Sequence, residues 1–329
     1  MTETVAPGVH RIEIPLPRTA LRALNVYLLR GTPRNLLIDT GFNMPECREA
    51  LYSGLAELSV PENSLDLFLT HLHTDHCGLS VELAARPGTT VYAGAEDGAD
   101  VVRMAADAPA FWRVVLDDMA RYGCPQELMR TVAATHPGMT CGPKGDISIS
   151  YVSEGDVLRY GDAVLRVLAV PGHTPGHMAL YDEGRRILFS GDFILSGAAS
   201  NTPHWPQMPD PLGVFLHSLD EVYGMDMELV LPGHGKLLRD ARKRMDDLRI
   251  GRTHRLDETA ELLRGKELTA AELAPLIHWS GGEGHWESFM PAQQWFAIQD
   301  VLAYLEHLEV LGRTVRTERG GLIRFSTVC

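Results

Sequence analysis

Thr70–Gly78 reads T-H-L-H-T-D-H-C-G and gathers His71, His73, Asp75 and His76 into a single short stretch. Neutral imidazoles and a carboxylate are the ligands that a zinc-like cation takes. So close together in a solvated loop, these groups would repel one another or lie idle without a metal. The stretch therefore points to a bound divalent cation and to hydrolysis by a water that the cation activates. It also requires further ligands elsewhere in the chain.

Those ligands recur in one structural context. Pro171-Gly172-His173-Thr174-Pro175-Gly176-His177 follows the apolar run Val164–Val170, Ser190-Gly191-Asp192 follows Arg186–Phe189, and Pro232-Gly233-His234-Gly235 follows Glu228–Leu231. The first cluster itself follows Leu65–Leu69. Each run has strand character and ends in a turn carrying His or Asp, where a rigid sheet can hold functional side chains. One Gly-His dipeptide is an ordinary turn. Its repetition after successive strands predicts a composite site.

In this order, H-x-H-x-D-H, G-H-T-P-G-H, S-G-D and P-G-H-G resemble the motif series of the metallo-β-lactamase superfamily, and Leu36-Leu37-Ile38-Asp39-Thr40-Gly41 is similar to its first motif. The resemblance spans about Val5–Lys236. It implies an α/β fold, a four-layer αββα sandwich with two mixed sheets face to face, helices outside and the metals at one edge. Carried over residue by residue, it implies that His71, His73 and His173 hold one metal, that Asp75, His76 and His234 hold the other, and that Asp192 bridges them. The implied cofactors are two divalent ions, zinc first, with manganese or iron as alternatives because His/Asp sites accept several cations. His177 is structural in that family and is not expected to be a ligand.

Two cations about 3.5–4 Å apart share a hydroxide that attacks a carbonyl or phosphoryl centre. Asp75 is expected to be catalytic, hydrogen-bonding that hydroxide and later protonating the leaving group. Asp39 is expected to orient a ligand by hydrogen bonding rather than bind metal; the plain alternative is a turn aspartate at a strand end. Cys77, beside His76, reads as a small buried residue.

The chain has 329 residues, 45% hydrophobic and 22% charged, with a formal net charge of −13. These values suit an ordinary globular protein and disfavour non-specific attraction to nucleic acid or anionic membrane. No apolar run reaches membrane-spanning length, and the N-terminal residues lack the basic start and apolar core of a signal peptide. The cysteines, Cys47, Cys77, Cys124, Cys141 and Cys329, show no C-x-x-C spacing. A cytoplasmic location is the simplest expectation.

Three segments lie outside the motif scaffold. About Glu96–Asp146 reads as a helical insertion, with a second short helix at Gln126–Ala134 and an irregular loop over 135–145. As a lid over the metals it would line a pocket with Phe111, Trp112, Met119, Tyr122 and Met129; the alternative is that these residues only pack the insertion down. The Pro-rich loop after Asp192 holds Asn201, His204 and Trp205, with His204 and Trp205 as candidate substrate contacts. The third segment is the tail. Asp240–Leu263 reads as helical, with Asp246, Asp247, Arg249, Arg252 and Arg255 on a solvated face. Thr269 and Glu272 form a capping box, Gln293–Leu311 is an amphipathic helix, and Arg313–Val328 is a hairpin. This order is similar to the small winged-helix domain of the β-lactamase-like protein 2 group. Two domains are expected, a catalytic one over 1–240 and a winged-helix-like one over 241–329.

A winged helix raises the question of nucleic acid. The third helix carries Asp300, Glu306 and Glu309 and no Lys or Arg, whereas phosphate contacts need cations on the approaching element. Only the wing, with Arg313, Arg316, Arg319 and Arg324, is basic. The tail is expected instead to close a pocket wall or a homodimer interface, with His278, Trp279, His285 and Trp286 around Gly281–Gly284 reaching toward that pocket or, as the plainer reading, packing. The function expected is a two-metal hydrolase of a small ester, thioester or lactone, and a metal-dependent endoribonuclease or phosphodiesterase is the alternative.

Overall fold

A computed structural model describes residues 1–197, 200–279 and 286–328. The Gly281–Gly284 loop, His285 and Cys329 lie outside the described residues. The first sheet has seven strands in chain order: β1 (Thr2–Ala6), β2 (Val9–Pro15), β3 (Ala23–Leu29), β4 (Asn35–Ile38), β5 (Leu65–Phe68), β6 (Val91–Gly94) and β7 (Ser150–Val152). The second has five, ordered β12-β11-β10-β9-β8: β8 (Val157–Tyr160), β9 (Ala163–Ala169), β10 (Met178–Asp182), β11 (Ile187–Gly191) and β12 (Leu229–Pro232). Both are mixed, with β4, β5, β6 and β7 parallel in one and β11 and β12 parallel in the other.

Period-two alternation makes the layers. In β3, Tyr27 and Leu29 point into the core between the sheets, while Val26 and Leu28 point to the outer core. In β10, Leu180 faces inward and Ala179 and Tyr181 outward. Each face needs its own cover, which is why central runs such as Leu36–Ile38 and Leu229–Leu231 are apolar on both faces, whereas β2, toward the sheet edge, alternates. Helix α1 (Pro45–Glu57) covers the first sheet through Cys47, Leu51 and Leu55, spaced one turn apart. Two further short helices, α2 (Thr74–Cys77) and α3 (Ser80–Ala84), follow β5. The outer face of the second sheet packs on α8 (Pro211–Tyr223) through Phe215, Leu219 and Val222 and on α9 (Ala241–Leu263) through Met245 and Leu248. The result is the αββα sandwich.

The insertion comprises α4 (Ala95–Ala106), α5 (Ala108–Arg121), α6 (Gln126–Thr135) and α7 (Pro137–Thr140), the last within the stretch expected to be irregular. The tail continues from α9 through β13 (Glu267–Leu268), α10 (Ala270–Leu273), α11 (Pro291–Val310), β14 (Thr314–Arg319) and β15 (Leu322–Thr327), with the strands ordered β13-β15-β14. The expected capping box at Thr269 and Glu272 is formed. Insertion and tail share one core: Val115, Met119, Tyr122 and Val132 pack with Leu263, Leu273, Val301, Leu302, Leu305 and Phe325. Buried apolar area is what ties the two together. Arg252 departs from the solvated face expected of it. It is 4% exposed, donates to the Ser200 carbonyl and to Tyr304 Oη at 2.9 Å, and pairs with Asp300. Among the described residues, no helix is long and apolar enough to cross a membrane.

Candidate metal centre and substrate cavity

The ends of β5, β9, β11 and β12 deliver the expected side chains to one spot. Three groupings have ligand atoms within 4.8 Å of one another: His71, His73 and His173; His71, His76 and Asp192; and Asp75, His76 and His234. His73 Nδ1 lies 3.1 Å from His71 Nε2 and 2.9 Å from His173 Nε2. On the other side, His76 Nε2 lies 3.3 Å from His234 Nε2, which is 3.3 Å from Asp75 Oδ2. Asp192 faces both groups, with Oδ1 3.4 Å from His76 Nε2 and Oδ2 3.8 Å from His173 Nε2 and 3.5 Å from His234 Nε2.

Hydrogen bonds behind the rings decide which nitrogens face inward as lone pairs. His173 Nδ1 donates to the Asn201 carbonyl and His234 Nδ1 to the Ala23 carbonyl, both at 2.8 Å. His76 Nδ1 donates to Asp39 Oδ2 at 2.8 Å. In each, Nε2 points into the cluster; against burial, Asp39 and Asp192 raise the pKa of His76, and Asp192 and Asp75 that of His234. Burial, reinforced by the neighbouring imidazoles, holds His71 well below the ordinary histidine range, and burial and then His173 take His73 down to about 3. Asp192 Oδ1 is buried without a hydrogen-bond partner. Converging lone pairs and an unpaired buried carboxylate oxygen are costly unless a cation satisfies them. The donor set therefore fits divalent metal.

Two carboxylates brace the ligand loops. Asp39, at a left-handed φ of 63°, accepts from Thr70 N at 2.8 Å as well as from His76, so strain sits where a ligand is oriented. Asp97, unmarked in the sequence, accepts from Leu72 N at 2.9 Å, Thr174 Oγ1 at 2.5 Å and Gly176 N at 2.6 Å. It joins the first histidine loop to the G-H-T-P-G-H loop from the first turn of α4. Nothing in A-E-D-G-A-D signals it, because its partners are distant in sequence. Gly233 is required by crowding: a Cβ there would lie 2.6 Å from Asp192 Oδ1. His177 stacks on His71 at 4.8 Å and accepts from Asp192 N at 3.1 Å, a bracing position. Cys77 is buried, its thiol donating to the Leu72 carbonyl.

Beside the ligands opens a cavity of about 310 Å³. Its walls come from the insertion (Trp112, Val115, Met139), the Pro-rich loop (Pro203, Trp205) and α11 (Trp295, Phe296). Trp205 stands at the cavity as expected, its Nε1 donating to the His173 carbonyl at 3.1 Å. Of the lid residues expected to line a pocket, Trp112 does; Met119 and Tyr122 are buried in the core shared with the tail, Met129 packs against it, and Phe111 packs against the outer core of the first sheet. His204 is a correction. It is 5% exposed and is not among the cavity residues. Its Nε2 meets Asp118 Oδ2 at 2.8 Å and its Nδ1 meets Glu306 Oε2 at 2.9 Å. Burial alone would lower its pKa, but those carboxylates raise it to about 9, so it is an imidazolium clamping insertion to tail. Trp279 and Trp286 pack against the tail core, as expected.

His136, expected only as part of a loop, does line the cavity. Gly138 N donates to its Nδ1 at 3.1 Å, which leaves the ring proton on Nε2. Burial lowers its pKa, so it presents a neutral donor.

The metallo-β-lactamase superfamily model matches residues 20–234, and the chain belongs to that superfamily. It is 28% identical over 238 residues to the acyl-coenzyme A thioesterase MBLAC2 of Homo sapiens, covering 70% of this chain and 80% of that protein. It is 25% identical over 248 residues to the atrochrysone carboxyl ACP thioesterase of Aspergillus fumigatus, covering 75% of this chain and 46% of that protein. A metallo-β-lactamase family protein of Thermus thermophilus superposes with a TM-score of 0.84 at 28% identity, covering 99% of this chain and 100% of that one.

Proposed function

We propose that this chain is a metal-dependent hydrolase of acyl thioesters, with His71, His73 and His173 as one ligand set, Asp75, His76 and His234 as the other, and Asp192 between them. A pair of divalent ions would supply water activation near neutral pH and polarisation of the substrate carbonyl. Zinc is the first candidate. Asp75 is the carboxylate that takes the proton from the attacking water and returns it to the departing sulfur; the C–S bond breaks as the C–O bond forms, giving acid and thiol. The His136 Nε2–H is a further donor toward the acyl group. The observation that carries the reading is the largely apolar cavity opening directly on the His/Asp cluster, a shape for an acyl chain rather than a polar backbone. The relatives named as thioesterases agree with it.

The tail, read as winged-helix-like, serves this reading as a cavity wall. Arg313, Arg316, Arg319 and Arg324 are each engaged by a carboxylate, of Asp257, Glu309, Glu267 and Glu272 respectively. That pairing partly neutralises the wing and, with the acidic α11, disfavours the endoribonuclease alternative. The test is a hydrolysis panel on metal-loaded protein spanning thioesters, oxygen esters, lactones, phosphodiesters and single-stranded RNA. Thioester cleavage lost on Asp192→Asn is the expected result. RNA cleavage with the same dependence would overturn the assignment.

A further inference from the structure

The lip of the cavity carries a cation that the reaction above leaves unused. Arg18 lies in the turn between β2 and β3 and is the sole Lys or Arg among the cavity-lining residues. Two backbone strains bracket that turn: Arg18 has φ 63° and Arg22 has φ 64°, left-handed values that non-glycine residues rarely adopt. The turn is nonetheless held, by Leu16 N donating to the Arg22 carbonyl at 2.7 Å and by Thr19 Oγ1 donating to the Leu16 carbonyl at 3.1 Å. Strain kept in a held turn beside a site is the pattern of a positioned group. Among the described residues, the guanidinium makes one weak hydrogen bond, Nη2 to Met44 Sδ at 3.7 Å, and no carboxylate pairs with it. The wing arginines are paired; Arg18 is exposed, with its fork available. Next to it, Leu21 is 47% exposed and also lines the cavity. A charged and an apolar side chain thus share the entrance to an apolar space.

We propose that Arg18 is a specificity-determining residue, whose guanidinium holds a phosphate on the thiol half of the substrate while the acyl chain enters the cavity. This rests on the thioesterase reading. A pantetheine thiol carries its phosphate at the far end from sulfur, both on coenzyme A and on an acyl carrier protein, and a planar guanidinium suits either source. In a chain of net charge −13, an entrance cation that no carboxylate neutralises gives a phosphate a local attraction.

The test uses the full, metal-loaded chain and two non-hydrolysable probes, S-octyl-4′-phosphopantetheine and S-octyl-pantetheine, measured by calorimetry. The wild type should bind the phosphorylated probe about tenfold more tightly, as expected for a charge-assisted contact. Arg18→Met should abolish that preference, Arg18→Lys should restore part of it, and Arg18→Gln provides a second neutral variant at this exposed position. An equal preference in wild type and Arg18→Met, or none in the wild type, overturns the proposal. In kinetics, Arg18→Met should lower kcat/KM for octanoyl-coenzyme A or for an octanoyl carrier protein relative to octanoyl-N-acetylcysteamine, and the substrate affected names the source. Neither being affected counts against Arg18. If no thioester is cleaved, the functional reading fails while the binding comparison still judges Arg18.

Discussion

Replacing His204 by glutamine should remove the part of the pH dependence of stability that this residue supplies. His204 bonds Asp118 at 2.8 Å and Glu306 at 2.9 Å through opposite ring nitrogens, an arrangement that requires the imidazolium when both carboxylates are ionised. Its pKa rises from 6.5 to about 9 on folding. A group whose folded pKa is raised stabilises fully below its unfolded pKa, and that contribution disappears as pH rises through the folded value. The window is therefore about pH 6.5 to 9, and the difference corresponds to about 3 kcal/mol. Burial pushes the Glu306 carboxyl up and works against part of this, so about 3 kcal/mol is the ceiling. The assay is urea unfolding of metal-loaded wild type and His204→Gln from pH 6 to 9.5, followed by tryptophan fluorescence. At pH 6.5 the variant should be less stable by up to about 3 kcal/mol, because the His204 charge held by Asp118 and Glu306 is gone. By pH 9.5 the two curves should converge. Parallel curves, or a variant as stable as wild type at pH 6.5, would refute the imidazolium clamp.

Other outcomes follow from the same geometry. Asp39→Ala should leave the fold intact and weaken metal binding by about 10- to 100-fold in a chelator competition, because His76 loses the partner that orients it. Gly233→Ala should lower the metal content measured by elemental analysis, since its Cβ would press on Asp192 Oδ1. On a series of straight-chain acyl thioesters, kcat/KM should rise about fourfold per methylene until the cavity is filled, from about 0.8 kcal/mol per buried CH₂. Val115→Trp, which fills the space beside Trp112, should end that rise at shorter chains. Arg252→Met should lower the unfolding temperature, because it strips the Ser200 carbonyl and Asp300 of a buried donor.

The His/Asp cluster was legible because its members follow strand ends in compact motifs: H-x-H-x-D-H after β5, Gly-His at His173 and His234, and Gly-Asp at Asp192. The layers were legible for a related reason: runs such as Leu36–Ile38 and Leu229–Leu231 are apolar on both faces, as doubly covered strands tend to be. What depended on distant packing was not legible. Asp97 gathers Leu72, Thr174 and Gly176 from far along the chain, and His136 reaches the cavity because α7 turns the expected loop back upon it. Helical spacing identified an apolar face on the insertion, yet that face is shared between the cavity, through Trp112, and the tail core, through Met119 and Tyr122. His204 and Arg252 were assigned by residue type to contact and to solvent. Each instead found a carboxylate on α11, Glu306 and Asp300 respectively, which only the fold brings near.

Metal binding by the His/Asp cluster and thioester cleavage by the metal-loaded chain stand or fall together in one comparison. Elemental analysis and octanoyl-thioester hydrolysis would be measured on the same preparations of wild type and Asp192→Asn. About two divalent ions per wild-type chain are expected, with a variant that loses metal and hydrolysis together while remaining folded. Folded wild-type protein from metal-replete medium that holds no metal, or hydrolysis that persists after the variant has lost its metal, would show the assignment to be wrong.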